Sequence, residues 1–176
     1  MFKRIKLRIR DIGTINALCS GAEKQAHENG EAFPGAEHFL LAAMALPDGT
    51  ARRAFERVGA DPDTLRAAIA KQYSDALNRM GIDLTAMDTE HHIPEPVTSN
   101  RMLYDTKPSG QAVMKALYEQ RTENKNIPLL GAHVVAVIAS MEQGVAARSL
   151  LTMGIDQNAL GAAAKQTLNA FSRKQT

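Results

Sequence analysis

Apolar residues recur along the amino-terminal half of the chain with the three-to-four-residue spacing of amphipathic helices. The first periodic segment covers about residues 14–29. The second, about 36–46, is apolar on nearly every face, which favours a central buried helix. Shorter segments follow at about 50–58 and 62–73. These four segments are therefore predicted to form four helices.

The same pattern returns 95 residues later, where residues 13–68 align with 108–163 without a gap. Glycine, aspartate and histidine stay in register together with the apolar positions, which chance does not readily supply. Identical pairs include His38 and His133, Gly49 and Gly144, Ala51 and Ala146, Arg53 and Arg148, Gly59 and Gly154, Asp61 and Asp156, and Leu65 and Leu160. The second copy is predicted to form helices at about 109–124, 132–142, 145–153 and 156–171.

Helix start and stop signals support these boundaries. Thr14 and Ser109 stand where an N-cap hydroxyl would accept hydrogen bonds from the free amides of a first turn. Gly59 follows a third helix where a positive φ is needed. Asp61 and Pro62 give the fourth helix a capping acid and a proline in its first turn. The predicted fold is thus two tandem four-helix repeats with pseudo-two-fold symmetry.

The division of the chain follows from the repeat. We expect a basic amino-terminal arm over 1–12, a first repeat over 13–73, a linker over 74–107 and a second repeat over 108–171, all in one compact domain. In the arm, apolar residues at 5, 7 and 9 alternate with cations, which is typical of an exposed edge strand. Those at 2, 5, 9 and 12 also fit a helical stripe, so both interpretations stay open.

Composition narrows the class of protein. With 176 residues, 44% hydrophobic and 23% charged, the chain is a globular protein and not a disordered one. A single cysteine, Cys19, permits no internal disulfide and fits a reducing compartment. No apolar run approaches the ~20 residues that span a bilayer, and no signal segment follows the basic start. We therefore expect a cytoplasmic protein with no membrane partner.

Charge is distributed unevenly. Residues 1–10 hold five of the 21 basic residues and no acidic one, which leaves 16 basic against 19 acidic residues in the body. A basic arm on a mildly acidic body suits an acidic partner, a membrane surface or a nucleic acid, or is simply solvated. Nucleic acid is the weaker prediction, because aromatics are only 5% and none alternates with a basic stretch.

The two phrases GAEHFLLAAMALPDGTARRAFERVGAD and GAHVVAVIASMEQGVAARSLLTMGID, together with the segment TKPSGQAVMKAL, resemble the Clp N-terminal domain. This is the double-repeat module at the front of Clp-type AAA+ unfoldases. The resemblance covers about residues 11–170 and implies an all-α, non-catalytic module that receives client or adaptor proteins. The chain has no G-x-x-x-x-G-K-[ST] phosphate loop, so we expect a stand-alone protein without ATPase modules. A Clp ATPase, an adaptor or a client is the implied partner.

The resemblance also implies one kind of ligand. In C-type Clp unfoldases each repeat binds phosphoarginine through a hydroxyl residue at the first helix and a glutamate before the histidine of the second. Thr14 and Glu37 match this pattern in the first repeat. In the second repeat Ser109 keeps the hydroxyl, but Ala132 replaces the glutamate. We therefore expect a single phosphoarginine-type pocket, while ordinary helix capping explains the same residues without a ligand.

Other candidate chemistry is sparse. The densest group of metal-ligand types is Asp88, Glu90, His91, His92 and Glu95 in the linker, and we interpret it as a solvated loop because no second motif completes a site. No nucleophile–base arrangement stands out, so we predict neither an enzyme nor a cofactor.

Two other functions stay open. One is a small-molecule sensor or protective binder, which compounds would stabilise in a thermal-shift screen. The other is a nucleic-acid-associated regulator, whose binding would fall steeply with salt and vanish on deletion of residues 1–10.

Overall fold

The computed structural model describes residues 2–81, 105–123 and 127–173. Within these ranges the chain is all-α, with eight helices and no strand. In chain order the helices are α1 (Phe2–Glu28), α2 (Ala36–Met44), α3 (Thr50–Arg57), α4 (Leu65–Arg79), α5 (Pro108–Glu123), α6 (Gly131–Ala139), α7 (Val145–Thr152) and α8 (Gln157–Arg173), and a 3-10 turn over Pro62–Thr64 precedes α4.

The tandem repeat is visible in the helix boundaries. Helices α2 and α6 begin and end at residues 95 positions apart, and so do α3 and α7. Gly59 and Gly154 end the third helix of each copy with φ values of 73° and 70°, as predicted for that position. The all-α tandem fold expected from the sequence is confirmed.

The two central helices hold the core. Every residue of α2 is buried, and eight of the nine residues of α6 are buried as well. Helix α2 packs directly on α6, so one continuous apolar cluster joins the two copies. Neither repeat therefore has a separate core of its own.

The outer helices interleave across the repeats. Helix α3 packs on α6 and α8 of the other copy, and α4 packs on α7. Helix α5 approaches the segment before α2 so closely that a Cβ on Gly110 would lie 2.8 Å from the carbonyl oxygen of Pro34. Glycine at 110 thus permits a contact between the copies that any larger residue would push apart.

The predicted start of the first helix is wrong, and so are the predicted N-cap positions of Thr14 and Ser109. Helix α1 begins at Phe2, not near residue 14, so the helical stripe is correct for residues 5–12 and the edge strand is not. The alternation of apolar and basic residues finds no partner strand in the described ranges, and a lone strand has no hydrogen-bonded ladder to stabilise it. Thr14 consequently lies inside a helix, and Ser109 is the second residue of α5 instead of its N-cap.

Among the described residues, no helix combines the length and apolar character needed to cross a membrane.

Candidate functional site

The carboxylate of Glu37 is buried in the first turn of α2, where the positive end of the helix dipole favours an acidic residue. Only 2% of Glu37 is exposed. Its carboxylate lies over Gly35, where a Cβ atom would be 2.6 Å from Oε1. A side chain at position 35 would therefore displace this carboxylate from its place.

Two neighbours balance the buried charge of Glu37. The hydroxyl of Tyr73 donates to Oε1 at 2.7 Å. The Nζ atom of Lys107 lies 3.7 Å from the same oxygen and 2.8 Å from Oε2 of Glu31. Burial, and next the bond to Glu37, raises the pKa of Tyr73, so the phenol stays a donor. The cluster thus already contains a bound cation, the ammonium group of Lys107.

His38 is a neutral cap and not a charged partner of Glu37. Its Nδ1 atom accepts a hydrogen bond from the backbone N–H of Gly35 at 2.9 Å. Burial lowers the pKa of His38, and the neighbouring carboxylate of Glu37 opposes this only in part. The 3.4 Å contact between Nδ1 and Glu37 is therefore not an ion pair.

The sequence placed Thr14 and Glu37 in one pocket, but the structure places them near opposite ends of α2. Ser109 accepts a hydrogen bond from the backbone N–H of Ala36 at 3.2 Å, which brings it to the start of α2 beside Glu37. Thr14 instead donates to the carbonyl oxygen of Leu129 at 3.3 Å, at the other end of α2 from Glu37. The hydroxyl at the start of α2 thus comes from the opposite repeat.

The start of α6 is capped by side chains from the first repeat. The N–H of Gly131 donates to Oδ2 of Asp48 at 3.2 Å, and the N–H of Ala132 donates to the hydroxyl of Thr50 at 2.9 Å. Val145 is the repeat mate of Thr50 and has no hydroxyl, so the second copy cannot return this contact. The two helix starts are consequently different chemical environments.

Asp11 connects α1 to the second repeat through two hydrogen bonds. Its carboxylate accepts from Nε of Arg121 at 2.6 Å and from the backbone N–H of Leu129 at 2.7 Å. Only 8% of Asp11 is exposed. A charge-assisted pair with a second, backbone donor fixes the direction of α1 at this point.

A cleft of about 410 Å³ opens beside this anchor, between α1 and the segments that follow α2 and precede α6. Its lining is mostly apolar, with one cation, one carboxylate and one hydroxyl among the lining residues. These residues are Arg10, Gly13, Thr14, Ala17, Leu46, Pro47, Asp48, Leu129 and Leu130. The volume is in the range of sites that bury several side chains or a small ligand.

The described residues support neither a metal site nor a reactive thiol. In the described ranges no three His, Cys, Asp or Glu side chains are grouped as metal ligands. The cluster from Asp88 to Glu95 lies outside those ranges. Burial, and then the charge of Glu23, raises the pKa of the Cys19 thiol, which keeps it protonated and unreactive.

Most residues of the cleft, and the side chains that cap α6, were not identified from the sequence. Leu46, Leu129 and Leu130 look like ordinary core residues in the sequence. Asp48 and Thr50 carried a usable signal, because their counterparts in the second repeat are Gln143 and Val145. A carboxylate or hydroxyl group found in only one of two repeats marks a position where the copies differ in role.

Residues 15–90 match the family model of the Clp repeat (R) N-terminal domain. The match contains almost all of the predicted first repeat and confirms the resemblance that the sequence motifs indicated. No curated protein matches the chain.

Proposed function

Since residues 15–90 belong to the Clp repeat (R) N-terminal domain family, we propose that this protein recognises clients or adaptors for a Clp unfoldase–protease system. Its role is to bind protein segments without chemical turnover. Membership in this family supports a protein-interaction module. The fold contributes one core shared by the two repeats and an open cleft beside α1.

The cleft beside α1 is the observation that carries this proposal. Its apolar lining combines the buried Leu46, Leu129 and Leu130 with the exposed Ala17 and Pro47, so an apolar side chain of a peptide would contact chiefly Ala17 and Pro47. Arg10 offers a guanidinium donor for the peptide's carbonyl or carboxylate groups. A short segment of a client or adaptor with two or three apolar residues fits this chemistry.

We expect Ala17→Trp to abolish partner binding, because an indole group at this exposed cleft position fills the space that the peptide needs. Ala112→Trp is the matched control, since Ala112 is the repeat mate of Ala17 and is exposed on α5 outside the cleft lining. The measurement is a pull-down with the intact chain and quantitative mass spectrometry. Recovery of a Clp ATPase or its clients by wild type and Ala112→Trp, with loss in Ala17→Trp, supports the proposal.

Equal recovery by the two tryptophan variants would exclude the cleft as the binding site. Failure of the wild-type protein to recover either a Clp ATPase or a client would count against the function itself. Both variants place tryptophan at an exposed helical position, so differences in folding are checked by comparing their thermal unfolding midpoints.

We further propose that phosphoarginine, the ligand the family resemblance implies, binds once, at the start of α2, where Glu37 lies and Ser109 contacts the backbone. The contacts that support this are the bound ammonium of Lys107, which shows the cluster accepting a cation, and the hydroxyl in the first turn of α5. A ligand guanidinium must displace Lys107 to reach Glu37. Thr14 takes no part, because it lies at the other end of α2.

Calorimetric titration with free phosphoarginine tests this pocket. We expect one site in the wild type, tighter binding in Lys107→Gln and no binding in Glu37→Gln. The matched pair of hydroxyl variants is Ser109→Ala, which weakens binding, and Thr14→Ala, which leaves it unchanged. Absence of binding in both the wild type and Lys107→Gln would remove phosphoarginine as a ligand.

A further inference from the structure

Helix α1 starts 11 residues earlier than the repeat requires. Its mate α5 begins at Pro108, which corresponds to residue 13 of the first copy. Residues 2–12 therefore form an additional three turns of helix at the amino end of the first repeat. We call residues 5–12 the extension.

The extension is helical and has little contact with the body of the protein. Residues 5, 6, 8, 9 and 10 are all exposed, and residue 7 is half-buried. Asp11 fixes the base of the extension through Arg121 and the backbone of Leu129. A partner that binds this helix consequently pays little conformational entropy for its orientation.

Three isoleucines form a stripe along one face of the extension. Ile5, Ile9 and Ile12 are 53%, 65% and 59% exposed, which is unusual for large aliphatic side chains in a series. Their spacing of i, i+4 and i+7 puts them on one face of a helix. It is the anchor pattern of helices that dock into apolar grooves of partner proteins.

Cations lie on both sides of this stripe. Lys6 and Arg8 flank the isoleucines on the helix surface, and neither forms an ion pair with any residue in the part of the chain that the structure describes. Residues 1–10 contain no acidic residue, and the carboxylate of Asp11 is buried by its own partners. The free surface of the extension is thus apolar along its centre and positive at both margins.

From this pattern we propose that residues 5–12 are a docking helix for a partner protein with an apolar groove and an acidic rim. The groove buries the three isoleucines, and carboxylates along its edges pair with Lys6 and Arg8. Arg10 lines the peptide cleft, but the three isoleucines, Lys6 and Arg8 lie outside its lining, so the proposal goes beyond the function proposed above. It would stand even if the cleft bound nothing.

Charge and shape favour an acidic protein with a groove over a second copy of the chain, a nucleic acid or a lipid surface. Pairing of two copies through this stripe would bring Lys6 and Arg8 of each close to like charges, which is unfavourable. A nucleic acid would use the cations but has no need of the isoleucines. The apolar stripe between Lys6 and Arg8 is narrow for a helix that buries a broad face in lipid. An acidic, grooved protein uses both features.

Photo-crosslinking from position 9 in the intact chain tests the proposal. A benzophenone amino acid replaces Ile9 in one sample and the exposed Leu151 of α7 in the control. Mass spectrometry then identifies both the captured molecule and the crosslinked residue. We expect position 9 alone to give a protein crosslink, at a site where apolar residues are bordered by Asp or Glu.

Variants establish the chemistry of the contact. We expect Ile5→Ser and Ile12→Ser each to reduce the crosslink yield by about tenfold, because each removes a buried aliphatic anchor. Lys6→Glu with Arg8→Glu should abolish the crosslink, and exchange of the partner's rim carboxylates for lysine should restore it. The cleft variant Ala17→Trp should leave the yield unchanged.

Several results would overturn the proposal. Equal crosslinking from positions 9 and 151, or capture of a second copy of this chain, excludes an acidic groove. Insensitivity to the isoleucine variants, with loss on raising salt, points to nucleic acid instead. Sedimentation with phosphatidylcholine vesicles containing phosphatidylglycerol, lost in Ile9→Ser, would make the occupant a membrane surface.

Discussion

Phe39→Ala is expected to lower the free energy of unfolding by about 3–5 kcal/mol, because it opens a cavity in a core that cannot collapse around it. Phe39 is 1% exposed on α2. Its ring also reaches the second repeat, since a Cβ on Gly110 would be 3.1 Å from Cε2. Urea unfolding followed by circular dichroism measures the change.

The control for this experiment is Phe33→Ala. Phe33 is 47% exposed ahead of α2, so its truncation should change the free energy of unfolding by less than about 0.5 kcal/mol. We also expect wild type and Phe39→Ala to unfold in a single transition, because the core is shared by the repeats. Two separate transitions, or equal losses in the two variants, would contradict the shared core.

The sequence predicted those parts of the fold that depend on local pattern and on the repeat. Helices α2, α3, α6 and α7 were predicted to within a few residues, because apolar periodicity and glycine terminators define them. The start of α1 was not, since alternating residues at 5, 7 and 9 satisfy a strand and a helix equally well. The decision depends on whether a partner strand exists, which is a tertiary property, and the residues that the structure describes contain none.

The candidate site shows the same division. Glu37 and Ser109 were identified from the motif, but their placement at the same helix start was not, because an internal alignment compares the copies and does not pack them. The contacts of Lys107 with Glu37 and of Asp11 with Leu129 join residues 70 and 118 positions apart. No local spacing rule relates such residues, so these contacts required the structure.

The second large effect is a loss of stability in mild acid, caused by His38 and His133. The Nδ1 atom of each histidine accepts from a backbone N–H, that of Gly35 at 2.9 Å and that of Leu130 at 3.1 Å. Protonation would place a hydrogen on Nδ1, where it faces the hydrogen of the backbone donor. Burial lowers the pKa of both imidazoles, and the nearby carboxylates, Glu37 for His38 and Asp11 and Asp48 for His133, oppose this shift only in part.

The sign of the effect follows from linkage. Because the pKa of each histidine is lower in the folded protein than in the unfolded chain, the unfolded chain binds more protons. The contribution of the two histidines to the free energy of unfolding is therefore complete above their unfolded pKa of about 6.5. It is lost as the pH falls toward their pKa in the folded protein. We expect a decline of up to about 1.4 kcal/mol per pH unit for each histidine.

Urea titrations at several pH values between about 5 and 7 measure this decline, above the range where most carboxylates titrate. Asparagine keeps a side-chain oxygen that can accept from the backbone N–H, yet it carries no titratable proton. His38→Asn and His133→Asn should each remove about half of the pH dependence, and the double variant should be nearly flat while less stable at neutral pH. A double variant with the full wild-type slope would show that other groups take up the protons, so that the two buried caps do not limit the protein's stability in acid.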